Sequence, residues 1–171
     1  LDVPSQVRHE RAIAQSMDYV RETIMDIDHP DSPAYHWFGD AAICVEKRRV
    51  VNIWQYCWDR CRQMLLDFQL QHYGPGERNS PVYIRTLEQI ARFHIFIHHE
   101  LLDDEDFMNQ HAKHSSDATG KPLTILFQAY QDVHKKRAAG AASMAQSAFP
   151  HLIDPSQPAT PDECQVTGYY I

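Results

Sequence analysis

Residues 50–68 read VVNIWQYCWDRCRQMLLDF, and their apolar side chains recur every three or four positions. The recurring positions are Val50, Trp54, Cys57, Cys61, Met64 or Leu65, and Phe68. This spacing places them on one side of an α-helix, in a seam with heptad-like repeats. Asp40 can cap the start of such a helix, and residues 72–76, HYGPG, supply a glycine cap and a proline stop. We therefore expect a long second helix between about residue 40 and about residue 72.

Upstream of this segment, the sequence predicts a first helix followed by an aromatic loop. Ser5 can cap the first helix, whose apolar positions are Ile13, Met17, Val20, Ile24 and Ile27. Residues 29–33, HPDSP, break it, because each proline removes a backbone donor and restricts the residue before it. The loop that follows contains Tyr35, His36, Trp37 and Phe38, which are too apolar for a fully solvated connection.

Downstream, two more helices are predicted with a turn between them. Ser80 and Pro81 form an N-cap and first-turn pair, and the third helix is expected to run to about Lys113. Residues 115–120, SSDATG, have the composition of a turn, and Pro122 then fits the first turn of a fourth helix. The inward positions are Leu87, Ile90, His94, Ile97 and Leu101 in the third helix, and Leu126, Tyr130, Val133, Arg137, Ala141 and Met144 in the fourth.

Length and composition agree with a single helical unit. The chain has 171 residues, 43% of them hydrophobic, and only 6 glycines, which argues against a turn-rich β-sandwich. We predict an all-α fold, an antiparallel four-helix bundle with an aromatic loop after helix one and an irregular C-terminal tail. The bundle domain is expected to span residues 1–149. Residues 150–171, which contain several prolines, are expected to pack on the bundle or on a partner.

Charge and hydropathy exclude some classes of protein. The mean hydropathy is -0.50 and no apolar run approaches the roughly 20 residues that span a bilayer, so a transmembrane protein is excluded. The net charge of -7 disfavours nucleic acid as a partner, although basic residues 47–49 lie close to the tryptophans of the second helix. Cys57 and Cys61 fit reduced core thiols, and a cytoplasmic location is favoured without being fixed.

The 11 histidines suggest a metal site as one alternative. His94 and His98 lie one helical turn apart and can jointly bind zinc or iron, with His36 or His134 as a third ligand. A chain this rich in histidine gives about one such pair by chance, so the spacing alone is a weak signal. The competing interpretation places His94 in the core and His98 at its margin.

A second alternative concerns RNA cleavage. Arg92 followed by His98 or His99 resembles the Arg-x(4–6)-His motif of HEPN-type ribonucleases, which are helical bundles that usually act as dimers. The resemblance implies that His98 or His99 serves as general acid or base and that Arg92 stabilises phosphate charge.

The leading hypothesis is a helical protein–protein interaction or assembly module. The sequence contains no glycine-rich phosphate loop, Gly-x-Ser-x-Gly elbow or Cys-x-x-Cys pair. Aromatic residues on the second helix, in the first loop and in the tail instead favour contact with a protein partner or self-association. The expected contact residues are Trp37, Trp54, Trp58, Tyr169 and Tyr170.

Overall fold

The computed structural model describes residues 7–25, 45–74 and 79–145, with the side chains of 45–49 and 140–145 left out. These ranges contain four α-helices and no strand: α1 Glu10–Tyr19, α2 Val45–Leu70, α3 Pro81–Glu100 and α4 Glu105–Ala145. The all-α prediction is confirmed. The predicted aromatic loop and the tail lie outside the described residues. None of the described helices has a stretch long and apolar enough to cross a bilayer.

Side-chain contacts define how the helices run. Glu88 contacts Tyr130 and His98 contacts Ser115, so α3 and α4 point in opposite directions. Arg8 lies just before α1 and pairs with Asp67 near the end of α2, as expected for two helices of opposite direction. These pairings are compatible with the antiparallel up-and-down bundle.

The predicted seam of α2 lies at the centre of the core. Trp54, Cys57, Cys61, Met64 and Phe68 are each 2% exposed or less. Large side chains from the other helices pack with them, among them Ile13, Met17, Leu87, Ile90, Ile97, Phe107 and Leu126. Burying side chains of this size contributes about 1.5–3 kcal/mol each to folding, so the seam of α2 is a substantial part of what stabilises the fold.

The first helix starts later than the sequence predicts. His9 caps it, since its Nδ1 accepts from the backbone N–H of Arg11 at 3.2 Å, and the predicted cap Ser5 lies outside the described residues. The helix then widens into a π-helical turn, Val20–Ile24, in which the N–H of Met25 donates to the carbonyl of Val20 at 2.9 Å. Both ends of this turn are buried in the core.

The end of α2 uses a histidine where a glycine was predicted. His72 has a φ of 59°, which is the left-handed conformation, and the chain reverses there, two residues before Gly74. Tyr73 is then buried against Phe68 and Tyr83. Packing of these rings fixes the turn, so tertiary contact overrides the preference for glycine.

The third helix ends at Glu100, and the prediction that it reaches Lys113 is wrong. Leu101 leaves helical geometry, and Asp104 starts α4 by accepting from the backbone N–H of Phe107 through Oδ1 at 2.8 Å. Glu105 and Asp106 follow in the first turn of α4, where negative charge is favourable. The acidic residues 103–106, DDED, therefore mark the start of a helix rather than the continuation of one.

The predicted turn at 115–120 is also wrong, because these residues are in the middle of α4. Ser115 is fully buried, and Thr119 and Thr124 donate to the carbonyls of Ser115 and Gly120, one turn earlier. Pro122 lies inside the same helix. Serine and threonine favour turns because their hydroxyls bond to nearby backbone groups. Here the threonine hydroxyls make such bonds within the helix, so a turn is not needed to satisfy them.

Candidate binding site

His94 lies at the bottom of a cleft between α2 and α4. Its side chain is buried, 1% exposed, and its Nδ1 has no hydrogen-bond partner among the described residues. Burial lowers the pKa of this imidazole to about 4, so the ring is neutral at physiological pH. A neutral imidazole has one donor and one acceptor nitrogen, so the ring offers one directional polar contact inside an apolar region.

The cleft around His94 has a volume of about 360 Å³. We call it the His94 cleft, and its lining residues are Trp58, Cys61, Arg62, Leu65, Ile90, His94, His114, Asp117, Ala118, Lys121 and Pro122. Aliphatic and aromatic side chains form its walls. A concave, mostly apolar site with a few polar groups is the usual form of a ligand pocket.

Two cations lie on α2 and α4 beside the cleft. The guanidinium of Arg62 is 5.7 Å from the ring centre of Trp58, and Lys121 Nζ is 3.2 Å from an oxygen of Asp117. The side chain of Lys121 is 72% exposed, so its ion pair with Asp117 is weak and exchangeable.

The structure separates the two histidines that were predicted as metal ligands. His94 lines the cleft, whereas Nδ1 of His98 lies 2.9 Å from the hydroxyl of buried Ser115. His134 lies half-buried on α4, and His36 is outside the described residues. In the described part of the chain, no three His, Cys, Asp or Glu side chains form a group that fits a metal ion. The zinc or iron hypothesis is therefore without support there.

The two cysteines of α2 have no reactive character. Cys57 and Cys61 are free and buried, and burial raises the pKa of the Cys61 thiol to about 12. Burial, together with the neighbouring Cys61, raises the pKa of Cys57 as well. A thiol that stays protonated is a weak nucleophile and a poor metal ligand, so both behave as small apolar core residues.

Trp54 and Trp58 occupy different environments. Trp54 is 2% exposed and packs on Phe107 with ring centres 5.0 Å apart and on His111 at 5.1 Å. Trp58 is half-buried, stacks on Trp54 at 6.1 Å and meets His114 at 5.4 Å. Trp58 is therefore available to another molecule at the cleft, and Trp54 supports it from within. Trp37, Tyr169 and Tyr170 lie outside the described residues.

His111 and His114 were not singled out from the sequence as site residues. They contact Trp54 and Trp58, and Nε2 of His111 also lies 3.2 Å from Nε2 of Gln55. The sequence did contain a signal for these contacts: Trp54 and Trp58 are one helical turn apart, and so, approximately, are His111 and His114. Reading it requires knowing that α2 faces α4, which the sequence does not provide.

The geometry of Arg92 does not favour contact with RNA. Two guanidinium nitrogens of Arg92, Nε and Nη2, are buried, and His98 is engaged with Ser115. His99 has a ring that is 79% exposed and lies 3.4 Å from Glu100. With two of its three nitrogens turned away from solvent, this guanidinium is poorly placed to stabilise the phosphate of an RNA substrate.

The chain was compared with protein families, with curated proteins and with solved structures. The model of the family described as the SAC3/GANP family matches residues 1–166. The protein named "Protein xmas" from Drosophila melanogaster is 27% identical to the chain over 137 residues, which cover 78% of the chain and 6% of that relative. The chain thus spans a small part of the length of this relative. No solved structure matches the chain.

Proposed function

The chain belongs to the SAC3/GANP family, and on this basis we propose that it is a helical protein-interaction module of a multiprotein complex in mRNA export. Proteins of this family work in complexes, and the described residues hold no group of three side chains that fits a metal ion. The module is proposed to bind through its helical faces rather than to perform chemistry.

The observation that carries this proposal is a group of apolar side chains on α2 that the bundle leaves exposed. Tyr56, Leu66 and Leu70 are 38%, 45% and 44% exposed, and Gln63 is half-buried between them. Tyr56, Gln63 and Leu70 are spaced by heptads, and Leu66 lies one turn before Leu70, so all four lie on one side of the helix. We call this side, Tyr56, Gln63, Leu66 and Leu70, the α2 outer stripe.

The same helix thus buries apolar side chains on its inner face and exposes others on its outer side. Its inner face, from Trp54 to Phe68, is buried in the core, and a surface helix of a self-sufficient domain needs only that face. A second face with exposed leucine and tyrosine is typical of a surface that another protein covers. Beside it, Arg60 lies 5.7 Å above the ring of Tyr56, which adds a pair of residue types common in binding hot spots.

The proposed contact residues from the sequence fit this function in different ways. Trp58 is half-exposed at the His94 cleft and remains a candidate for partner contact. Trp54 supports it by stacking from the core. Trp37, Tyr169 and Tyr170 stay predictions, as does self-association through them.

A double substitution tests the α2 outer stripe. Leu66→Glu with Leu70→Glu places two charges on it, and the tagged full chain is then used to isolate its complex from cells. We expect at least a tenfold drop in co-isolated proteins, because each charge has to be desolvated at an apolar interface.

A matched control keeps the same change in net charge. Gln128→Glu and Gln131→Glu alter exposed residues of α4, which does not carry the stripe, and this variant should retain the complex. Both variants should show helicity and thermal stability close to the unchanged chain. If a folded stripe variant retains its partners, the stripe is not the binding surface and the proposal is wrong.

A further inference from the structure

We propose that the His94 cleft binds the side chain of a tyrosine that a partner protein presents, with acidic residues next to that tyrosine. This inference rests on the proposed function, because it specifies what an interaction module of this shape takes up. It concerns a different surface from the α2 outer stripe, so the two can be tested separately.

The polar atom at the base of the cleft selects the tip of the ligand. His94 is 1% exposed, and its Nδ1 has no partner among the residues that the structure describes. Buried polar atoms in proteins nearly always have a partner. Nδ1 is covered by its neighbours, so the ligand has to displace them or turn the ring to reach this atom. A phenol hydroxyl both donates and accepts, so it can then bond to Nδ1 in either tautomer of the neutral ring.

The walls select an aromatic body for the ligand. Trp58 and His114 supply rings on opposite helices, and Leu65, Ile90 and Pro122 supply aliphatic surface. The volume of about 360 Å³ is ample for one phenol ring, and aromatic pairs in such sites prefer edge-to-face or offset contacts. A carboxylate at this depth would lose its hydration beside a neutral imidazole, so a phenol is the better fit.

The charges beside the cleft select the residues that flank the tyrosine. Arg62 and Lys121 come from the two helices that form the cleft, and each retains exposure to solvent. Lys121 can leave Asp117 for a carboxylate of the partner, since their ion pair is exposed. Acidic neighbours of the tyrosine would therefore be attracted, although the chain as a whole is acidic.

A pair of small aromatic probes tests the hydrogen bond at the base of the cleft. The full chain, labelled with ¹⁵N at histidine, is titrated with p-cresol and with toluene, which lacks the hydroxyl. We expect p-cresol to shift the Nδ1 signal of His94 saturably and to bind at least tenfold more tightly than toluene. In the variant His94→Phe, binding is followed through the ring signals of His114, which lines the same cleft, and the preference for p-cresol should be lost. The variant His99→Phe, which changes the exposed ring on the same helix, should keep that preference.

Peptides then test the source of the phenol. A short peptide with tyrosine between aspartates should bind at least tenfold more tightly than p-cresol, than its phenylalanine analogue, and than a version with lysine flanks. Charge reversal by Arg62→Glu with Lys121→Glu should weaken binding of the acidic peptide at least tenfold more than it weakens binding of p-cresol, and equal losses for both ligands would contradict the proposed role of the two cations.

Three results would overturn the proposal. The first is no saturable shift of His94 with p-cresol, and the second is an acidic peptide that binds no better than p-cresol, which would indicate a small phenolic ligand. The third is a His94 signal that moves when Tyr169→Phe or Tyr170→Phe is introduced without any ligand, which would indicate that the chain's own tyrosine occupies the cleft. None of these results affects the co-isolation test of Leu66 and Leu70.

Discussion

His94 couples the stability of the fold to pH. Burial lowers its pKa from 6.5 to about 4, so between these values the unfolded chain takes up a proton that the folded chain refuses. Stability conferred above pH 6.5 is therefore lost as the pH falls towards 4, at about 1.4 kcal/mol per pH unit for this group. The loss begins above the range in which ordinary carboxylates titrate.

We predict that His94→Phe flattens the dependence of the free energy of unfolding on pH between pH 6.5 and pH 5. At pH 7.5 the variant should be as stable as the unchanged chain or more so, because a buried nitrogen without a partner costs about 1–3 kcal/mol. Urea titrations at several pH values measure both effects. His99→Phe changes a ring that is 79% exposed and should keep the original slope; equal slopes in all three proteins would show that His94 is not buried as described.

Glu10 links the start of α1 to the connection between α2 and α3. Its carboxylate accepts from the hydroxyl of Tyr73 and from that of Ser80, the latter at 2.6 Å. We predict that Glu10→Ala lowers the free energy of unfolding by about 1–3 kcal/mol, because both hydroxyls lose a charged acceptor. Chemical denaturation measures the loss.

The control for Glu10 is a glutamate on the same segment with little burial. Glu22 has a side chain that is 65% exposed and pairs with Arg21 on the surface. Glu22→Ala should change the stability by less than about 0.5 kcal/mol. Comparable losses in both variants would mean that the contacts of Glu10 do not hold α1 in place.

At the scale of the element, α4 differs most from what its sequence suggests. Residues 115–120 have the composition of a turn, yet they continue a helix of 41 residues. An alanine Cβ at Gly120 would meet nothing within 4 Å. A helix and a turn at this position predict opposite changes in the free energy of unfolding when Gly120 is replaced by alanine.

We predict that Gly120→Ala stabilises the chain by about 0.5–1 kcal/mol, because alanine loses less backbone entropy than glycine within a helix. A turn with glycine in the left-handed conformation would be destabilised by the same change. Thermal and chemical unfolding of the variant therefore distinguish a helix from a turn at this position, and a loss of stability would contradict the structure.

The start of α4 makes a second prediction at this scale. Asp104→Ala removes the side chain that caps Phe107 and should cost about 1 kcal/mol, whereas Asp104→Ser should retain most of the stability. Asp103→Ala, at the exposed neighbouring position, is the control and should have little effect. If the two alanine variants lose equal stability, the helix does not begin at Asp104.

For the whole molecule, the sequence was sufficient where one periodic signal dominated. The seam of α2 from Trp54 to Phe68 predicted its burial, because a spacing of three and four has few explanations other than a helix with a core face. The capping pair Ser80 and Pro81 was equally local, and Ser80 Oγ accepts from Tyr83 N–H at 3.1 Å.

The sequence was not sufficient to predict which side chains of different helices contact each other. His98 bonds to Ser115 and Trp58 meets His114, and each pairing depends on how α3 and α2 lie against α4. The turn at Leu101 was hidden for a related reason, since acidic residues fit a helix interior and a helix start almost equally well. The histidine pair on α3 therefore suggested a shared metal, although its two rings serve different neighbours.

We propose that this family member binds protein through the α2 outer stripe. Hydroxyl-radical footprinting of the full chain, alone and within its complex isolated from cells, tests this most directly because it reads side-chain exposure residue by residue. We predict that Tyr56, Leu66 and Leu70 lose most of their labelling in the complex, while Phe96 of α3 and Leu102 just after it, which are also exposed, keep theirs. Unchanged labelling of the three stripe residues in an intact complex would contradict the account.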